Sequence, residues 1–369
     1  MPDERIQVQE KPFLGRVDEQ KQFRAALADL LDANDKEDQP YVCLLYGDGG
    51  IGKTTLAGRF DGISAEERPF AGQFQSLWVD WEDERKKNPG LQVGRESVTA
   101  EALFKGIYDA AIRQKWGRRF TGYRKAIQKS TQAEKKIAEV LTGEDSWDEL
   151  AVIRNVSVSV LAKIVRSKMP YIGDTGQQLV QTFLDAGVEI GLDQATRLRA
   201  GLETYLRARL KPNEFDHFLN PNEQLAFALA RGLKSVASKK RLILFLDSYE
   251  VVDRADIWLR AVIQVAGPRV IWVIAGRNDL VRSRQFGAEY FKGYADDRPS
   301  RLLAIRMRPL AVAHIRTYFE MQGHSLGDEE LEAVSRVTRG IPLAVQEVAD
   351  MLAAGAPLAA SFIGAALQP

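Results

Sequence analysis

Eight consecutive residues carry the clearest chemistry in this chain: Gly47, Asp48, Gly49, Gly50, Ile51, Gly52, Lys53 and Thr54, followed by Thr55. Four glycines in six positions let successive backbone N–H groups turn inward without Cβ clashes. A lysine and a hydroxyl at the end of the run suit the outer phosphates and a divalent cation. The run follows an apolar stretch, YVCLLY, and opens an amphipathic one, which is the strand–loop–helix setting that such a loop requires. Lys53 is expected on the β- and γ-phosphates and Thr54 on Mg²⁺.

A Mg²⁺–phosphate site calls for a carboxylate at the end of a neighbouring strand. RLILFLDSYE supplies Asp247 after five apolar residues. Asp80, in LWVDWED, follows a shorter run and is expected to end the adjoining strand. Hydrolysis needs a group that orients water, and many phosphate-loop ATPases place a glutamate directly after the Mg²⁺ aspartate. Ser248 stands there instead. Glu250, two residues on, either swings in as the base or caps the next helix. Arg277, in VIWVIAGRND, follows another apolar run and reads either as a γ-phosphate sensor at the carboxyl edge of the sheet or as a surface arginine. Asn278-Asp279 lacks the pattern of a guanine reader, so adenine is expected.

These residues need a scaffold that brings distant segments to one edge. Five short apolar runs, 41–46, 74–80, 241–247, 270–275 and 302–307, have the length and composition of buried strands. Helical patterns at 54–60, 100–113, 223–238 and 257–265 lie between them. Strands alternating with helices predict an α/β fold with a five-stranded, mainly parallel sheet covered on both faces. After Pro309 the pattern is helical only, at 311–321, 328–337 and 342–352, which predicts a small lid over 309–369. Residues 1–308 form the expected phosphate-loop domain. Within it, about 82–222 is helix-rich and charged, and is expected to be an insertion with its own small fold.

With 369 residues, 45% of them apolar, the chain is long enough for a sizeable core. Its 51 basic and 50 acidic residues give a net charge of +1, so no global attraction to nucleic acid or membrane is expected. Cys43 is the sole cysteine, which excludes an intrachain disulfide and predicts a small buried hydrophobe. The N-terminus does not read as a signal peptide, and no apolar run approaches the ~20 residues of a membrane span. A cytoplasmic location and no membrane contact are therefore expected.

Taken together, GDGGIGKTTLA, PFLGRVDEQKQFRAAL (residues 12–27), FLDSYE, IAGR, MRPLAVAHIRTYF and TRGIPLAVQEVADML resemble, in order and spacing, the STAND class of P-loop NTPases, relatives of the AAA+ and origin-recognition ATPases. The resemblance covers residues 12–81 and 223–353. It implies bound ATP or ADP with Mg²⁺, and contact of Phe13, Leu14, Gly15 and Arg16 with the base or ribose. It also implies that Pro342, in a G-x-P element, leans on the nucleotide and couples its state to the lid. The activity implied is a slow ATPase working as a switch through self-association or a protein partner. The class's winged-helix segment and its histidine are not evident; His217, His314 and His324 are expected at the surface or in packing. The chain resembles the switch without its input and output, and its abrupt, small-residue tail predicts a natural continuation.

Two further stretches stay open. RQKWGRRFTGYRKAIQK, residues 113–129, holds Arg113, Lys115, Arg118, Arg119, Arg124, Lys125 and Lys129 with no acid, interleaved with Trp116, Phe120 and Tyr123. It reads as a helix packed on the core, a partner surface or a nucleic-acid site. On the last reading the protein is a nucleic-acid-stimulated AAA+-like ATPase. Arg197, Arg199, Arg207 and Arg209 lie on an amphipathic helix and include a candidate arginine finger acting across subunits. A P-loop kinase is the remaining alternative, although no acceptor site is marked.

Overall fold

The computed structural model describes residues 15–32, 40–87, 98–142, 184, 191–252, 255–286, 289–297 and 301–355. Its centre is a five-stranded sheet of β1 (Tyr41–Tyr46), β2 (Phe74–Asp80), β3 (Arg241–Asp247), β4 (Val270–Gly276) and β7 (Leu302–Arg306). The order across the sheet is β2-β3-β4-β1-β7, and every pairing is parallel. A short antiparallel hairpin, β5 (Ser283–Phe286) and β6 (Glu289–Lys292), interrupts the chain between β4 and β7 and was not expected from the sequence.

Parallel strands covered on both faces carry near-continuous apolar runs, as the central strands β1, β3 and β4 do. Val42 and Leu44 of β1, Leu242, Leu244 and Leu246 of β3, and Trp272 and Ile274 of β4 enter one core cluster. The alternating residues Cys43, Leu45, Ile243, Phe245, Ile271 and Val273 enter a second on the opposite face. Cys43 is thus a buried hydrophobe, as expected.

The second face is closed by α1 (Val17–Asp32) and α2 (Lys53–Glu66), whose Phe23 and Phe60 stack with ring centres 4.0 Å apart. Polar contacts reinforce this pair, since Glu67 accepts from Arg24 Nε at 2.8 Å and from Arg59 at 2.6 Å. The short helix α3 (Trp81–Lys87) leaves the end of β2. The first face is closed by α4 (Ala100–Arg113), α5 (Thr121–Thr142) and, further along the chain, α8 (Pro221–Val236) and α9 (Asp256–Ala266). Between α5 and α8 lie α6 (Leu192–Arg209) and α7 (Pro212–Leu219).

Residues 98–126 are part of this main core and not a separate small fold. Val98, Leu103, Phe104, Ile107, Phe120 and Tyr123 share one cluster with Leu225, Leu229 and Leu233 of α8. A Cβ on Gly232 would lie 2.3 Å from the Phe120 ring, so glycine is what admits the phenylalanine. Residues 88–97 and most of 143–190, the rest of the expected insertion, lie outside the described residues.

After the one-turn helix α10 (Tyr294–Asp297) and β7, the chain forms α11 (Val312–Met321), α12 (Asp328–Thr338) and α13 (Pro342–Ala353). They bury a core of their own, built on Ile315, Phe319, Leu331, Val334, Val345 and Val348. Among the described residues no helix is long and apolar enough to cross a membrane.

Candidate functional site

Strand register gathers the chemistry. Tyr46 pairs with Gly276 on one side and with Arg306 on the other, while Asp80 pairs with Asp247. Residues that directly follow these ends therefore emerge along one edge of the sheet. Gly47 begins the loop after β1, Asp247 closes β3 and Arg277 follows β4. The carboxyl edge is where ligands meet open α/β sheets.

The loop leads from β1 into α2, whose first residue is Lys53. Gly47 has φ 150° and Gly50 φ 72°. A Cβ on Gly47 would lie 3.0 Å from the Met307 carbonyl oxygen, and one on Gly50 would lie 3.0 Å from Leu343 Cβ. A side chain at either position would crowd its neighbours, and both backbone conformations favour glycine. Ile51, between them, is buried in the second core and anchors the loop. Lys53 Nζ donates to the carbonyls of Gly47 and Asp48 at 2.9 and 2.8 Å, spanning the mouth of the loop. Burial pushes its pKa below the ordinary 10.5, and the negative charge of Glu250 opposes that shift. Thr54 and Thr55 are exposed at the start of α2.

Asp247 is 5% exposed, accepts the Thr54 hydroxyl, and accepts the Ser248 N–H at 2.9 Å. Ser248 sits in the left-handed region with φ 53°, which turns the chain sharply after the strand. Burial pushes the Asp247 carboxyl above the ordinary 3.8; the bonds from Thr54 and Ser248 pull it back, and Asp80 and Glu250 add to the rise. Among the described residues no group of three or more His, Cys, Asp or Glu is arranged to hold a metal ion. Thr54 and Asp247 offer one hydroxyl and one carboxylate. That is the small protein share Mg²⁺ takes when phosphates and water supply the rest. Asp80 accepts the Glu82 N–H at 2.9 Å and so caps the turn into α3, in keeping with its expected place at a strand end.

Glu250 neither caps a following helix nor stands free. It lies in a 3-10 turn, Tyr249–Val251, and its carboxylate holds Arg277 twice. Arg277 Nε lies 3.1 Å from Oε1, and the Arg277 backbone N–H donates to Oε2 at 3.2 Å. The guanidinium also lies over the loop, since a Cβ on Gly49 would be 3.5 Å from it. Candidate base and candidate sensor are thus partners of one another, beside Lys53. Gly276 makes room for the turn: a Cβ there would lie 3.3 Å from both Tyr249 Cβ and the Glu250 nitrogen.

Phe13 and Leu14 lie outside the described residues. Arg16 donates to the carbonyls of Ile51 at 3.4 Å and Arg308 at 2.5 Å, so it ties the glycine-rich loop to the segment leading into α11. Gly15 faces His314 of α11, with 3.7 Å from a notional Cβ to the ring. Pro342, the first residue of α13, faces the loop: a Cβ on Gly52 would lie 4.0 Å from its Cγ. Beside it, the Leu343 N–H donates to the Gly50 carbonyl at 3.2 Å. Gly340 permits this approach, because at φ 67° a Cβ would lie 2.5 Å from the Leu310 carbonyl oxygen. Sequence reasoning singled out Pro342; the direct hydrogen bond from its neighbour to the loop carried no local signal.

The basic stretch 113–129 does not present stacking rings. Phe120 and Tyr123 are 0% and 2% exposed, and Trp116 packs against the same core cluster. Arg113 pairs with the buried Glu84 at 3.0 Å. Two of the three rings of this stretch are therefore taken up by the core, and Trp116 is partly buried. On α6, Arg207 pairs with Glu203 at 3.0 Å and covers the Phe215 ring, Arg209 covers Tyr205, and Arg199 lies 3.8 Å from Glu203. Arg197 donates to the Asp193 carbonyl. Of the histidines, His314 is exposed, His324 packs edge-on against Phe319, and His217 is half-buried with burial lowering its pKa.

Compared with known proteins, the chain matches no family model and no curated sequence. Its structure is an α/β fold with a five-stranded parallel sheet, an architecture compatible with a P-loop NTPase.

Proposed function

We propose that this chain is an ATP-binding switch of the STAND class, in which the state of the bound nucleotide sets the position of the helical lid and, through it, self-association or partner binding. The observation that carries this reading is the direct contact between lid and loop, the Leu343 N–H bonded to the Gly50 carbonyl with Pro342 against Gly52. A lid that touches the phosphate loop itself is placed to report what the loop holds.

In this reading the loop amides and Lys53 hold the phosphates of ATP or ADP, and Thr54 with Asp247 holds Mg²⁺. Arg277 recognises the terminal phosphate. Bound Mg²⁺ would neutralise phosphate charge and align the chain of oxygens. In this reading Arg277 keeps its Nε on Glu250 and offers its terminal N–H groups, beside Gly49, to the phosphate. A Glu250 carboxylate held by Arg277, together with Ser248 where a base would ordinarily stand, favours slow turnover over rapid hydrolysis. Adenine recognition near Gly15 and Arg16, and action inside the cell, belong to the same proposal.

Sedimentation velocity with ADP and with a non-hydrolysable ATP analogue tests it. The switch predicts a larger species with the analogue, and Lys53→Ala abolishes the difference. Protein that binds neither nucleotide, or binds both with identical mass distributions, refutes it. The rival reading, nucleic-acid-stimulated hydrolysis through 113–129, loses support from the burial of Phe120 and Tyr123.

A further inference from the structure

Behind the Glu250–Arg277 pair lies a buried polar cluster that neither the loop nor the lid uses. Asp256, the first residue of α9, is 1% exposed. Its Oδ1 accepts the Tyr249 hydroxyl at 2.7 Å and the Tyr294 hydroxyl at 3.0 Å, and its Oδ2 accepts Arg260 Nε at 2.8 Å. Arg260 also lies over the Tyr294 ring, 4.1 Å from its centre. Both tyrosines are 1% exposed. Burying such a cluster gains little stability over well-packed apolar residues; what it gains is a fixed geometry.

The geometry it fixes leads to the site by two routes. Tyr249 directly precedes Glu250, and its Cβ packs on Gly276, the residue before Arg277. Anchoring the far end of the Tyr249 ring therefore fixes the backbone from which the Glu250 carboxylate reaches. Tyr294 acts from the other side. Its backbone N–H donates to the Leu280 carbonyl at 2.8 Å, and the next N–H donates to Val281 at 2.7 Å, closing the base of the β5–β6 hairpin onto the segment that follows Arg277. Burial holds the Tyr294 hydroxyl well above its ordinary pKa of 10.0, so it stays a donor at neutral pH.

We propose that Asp256 is a positioning residue for the Glu250–Arg277 pair, clamping Tyr249 on the Glu250 side and Tyr294 on the Arg277 side so that both partners are held from one buried carboxylate. Because the role of the pair in sensing phosphate rests on the switch reading above, the test includes a readout that does not need nucleotide.

Tyr249→Phe, Tyr294→Phe and Asp256→Asn are prepared in the full chain, with Trp78→Phe as a control. The control removes another partly buried hydrogen bond, from Trp78 Nε1 to Asp61 at 2.8 Å, away from this cluster. Solvent exchange of the Arg277 side-chain Nε–H is followed by NMR, the signal being assigned by its loss in Arg277→Lys. The preference for a fluorescent ATP analogue over its ADP counterpart is measured in parallel. Losing one anchor is expected to speed the exchange roughly tenfold, the scale of one hydrogen bond to a charged group. The ATP-over-ADP preference is expected to fall by a similar factor with ADP affinity retained, and Trp78→Phe should change neither. Tyrosine variants that lose thermal stability like the control but keep wild-type exchange overturn the proposal. If the wild type binds neither analogue, the switch reading fails, and the exchange measurement still decides the positioning role. Should Asp256→Asn not fold, the two Tyr→Phe variants, which keep their rings, carry the test.

Discussion

The backbone N–H of Leu343, at the start of α13, donates to the carbonyl of Gly50, in the middle of the glycine-rich loop, across 3.2 Å. One residue of the lid thus shares a hydrogen bond with the loop that would hold the phosphates. Helices α11–α13 bury a core of their own. In the proposed switch, the contact between α13 and the loop is what is made or broken.

Gly50→Ala tests the contact from the loop side. At φ 72° an L side chain is strained, by roughly 1–2 kcal/mol, and the added Cβ would lie 3.0 Å from Leu343 Cβ. The variant should fold, lose hydrogen-exchange protection at the Leu343 amide, and keep protection in β1 and β4. Unchanged protection at Leu343 would show that the contact does not hold the lid.

Asp247 gives a pH signature. Burial raises its carboxyl pKa in the folded state above the ordinary 3.8. The folded protein therefore binds the proton more tightly than the unfolded chain, and this group's contribution to stability falls as pH rises from 3.8 through the folded value. Asp247→Asn, which removes the charge and keeps an acceptor for the Thr54 hydroxyl, should melt at a higher temperature than wild type at pH 7. The gap should close toward pH 4. The same variant should lose Mg²⁺-dependent nucleotide binding. Lower stability at pH 7 would contradict the assignment of burial as the dominant effect.

Arg277→Ala separates sensing from binding. With Lys53 and the loop intact, affinity for an ADP analogue should stay within about twofold. Affinity for an ATP analogue should fall about tenfold, the loss of one charge-assisted contact of ~1.5 kcal/mol. Titration with fluorescent analogues reads both. Equal losses for the two nucleotides would place Arg277 elsewhere in the site.

Phe120→Ala probes the basic stretch. The ring is 0% exposed and fills the space that Gly232 leaves, so truncation should cost about 3–5 kcal/mol of stability. Denaturant unfolding measures this. A variant of wild-type stability with weakened oligonucleotide binding would restore the stacking role.

The central strands were legible because a strand buried on both faces leaves an apolar run with polar ends, and β2 through its shorter run LWV before Asp80. The expected 41–46, 74–80 and 241–247 are the observed β1, β2 and β3. The loop was legible for the same local reason: its glycines, lysine and threonine are adjacent in sequence. The hairpin β5–β6 was not, because SRQF and EYFK alternate too little to signal a strand. Pairing of Glu250 with Arg277 could not be read either, since it depends on β3 lying beside β4. Tyr249 and Asp256 were missed because a tyrosine and an aspartate near helix ends look like ordinary surface residues until the fold buries them together. Of the three readings of the basic stretch, the burial of Phe120 and Tyr123 against α8 favours the helix packed on the core, a choice the sequence alone left open.

The proposed switch requires that nucleotide state move the lid. Spin labels placed at two exposed sites, Val337 on α12 and Ile127 on α5, report the distance between lid and sheet domain by pulsed electron resonance. Both positions are changed to cysteine in a chain whose buried Cys43 is replaced by alanine. The account predicts different distance distributions with Mg²⁺–ADP and with a non-hydrolysable Mg²⁺–ATP analogue, and loss of the difference when Lys53→Ala is added. Identical distributions with both nucleotides demonstrably bound would contradict it.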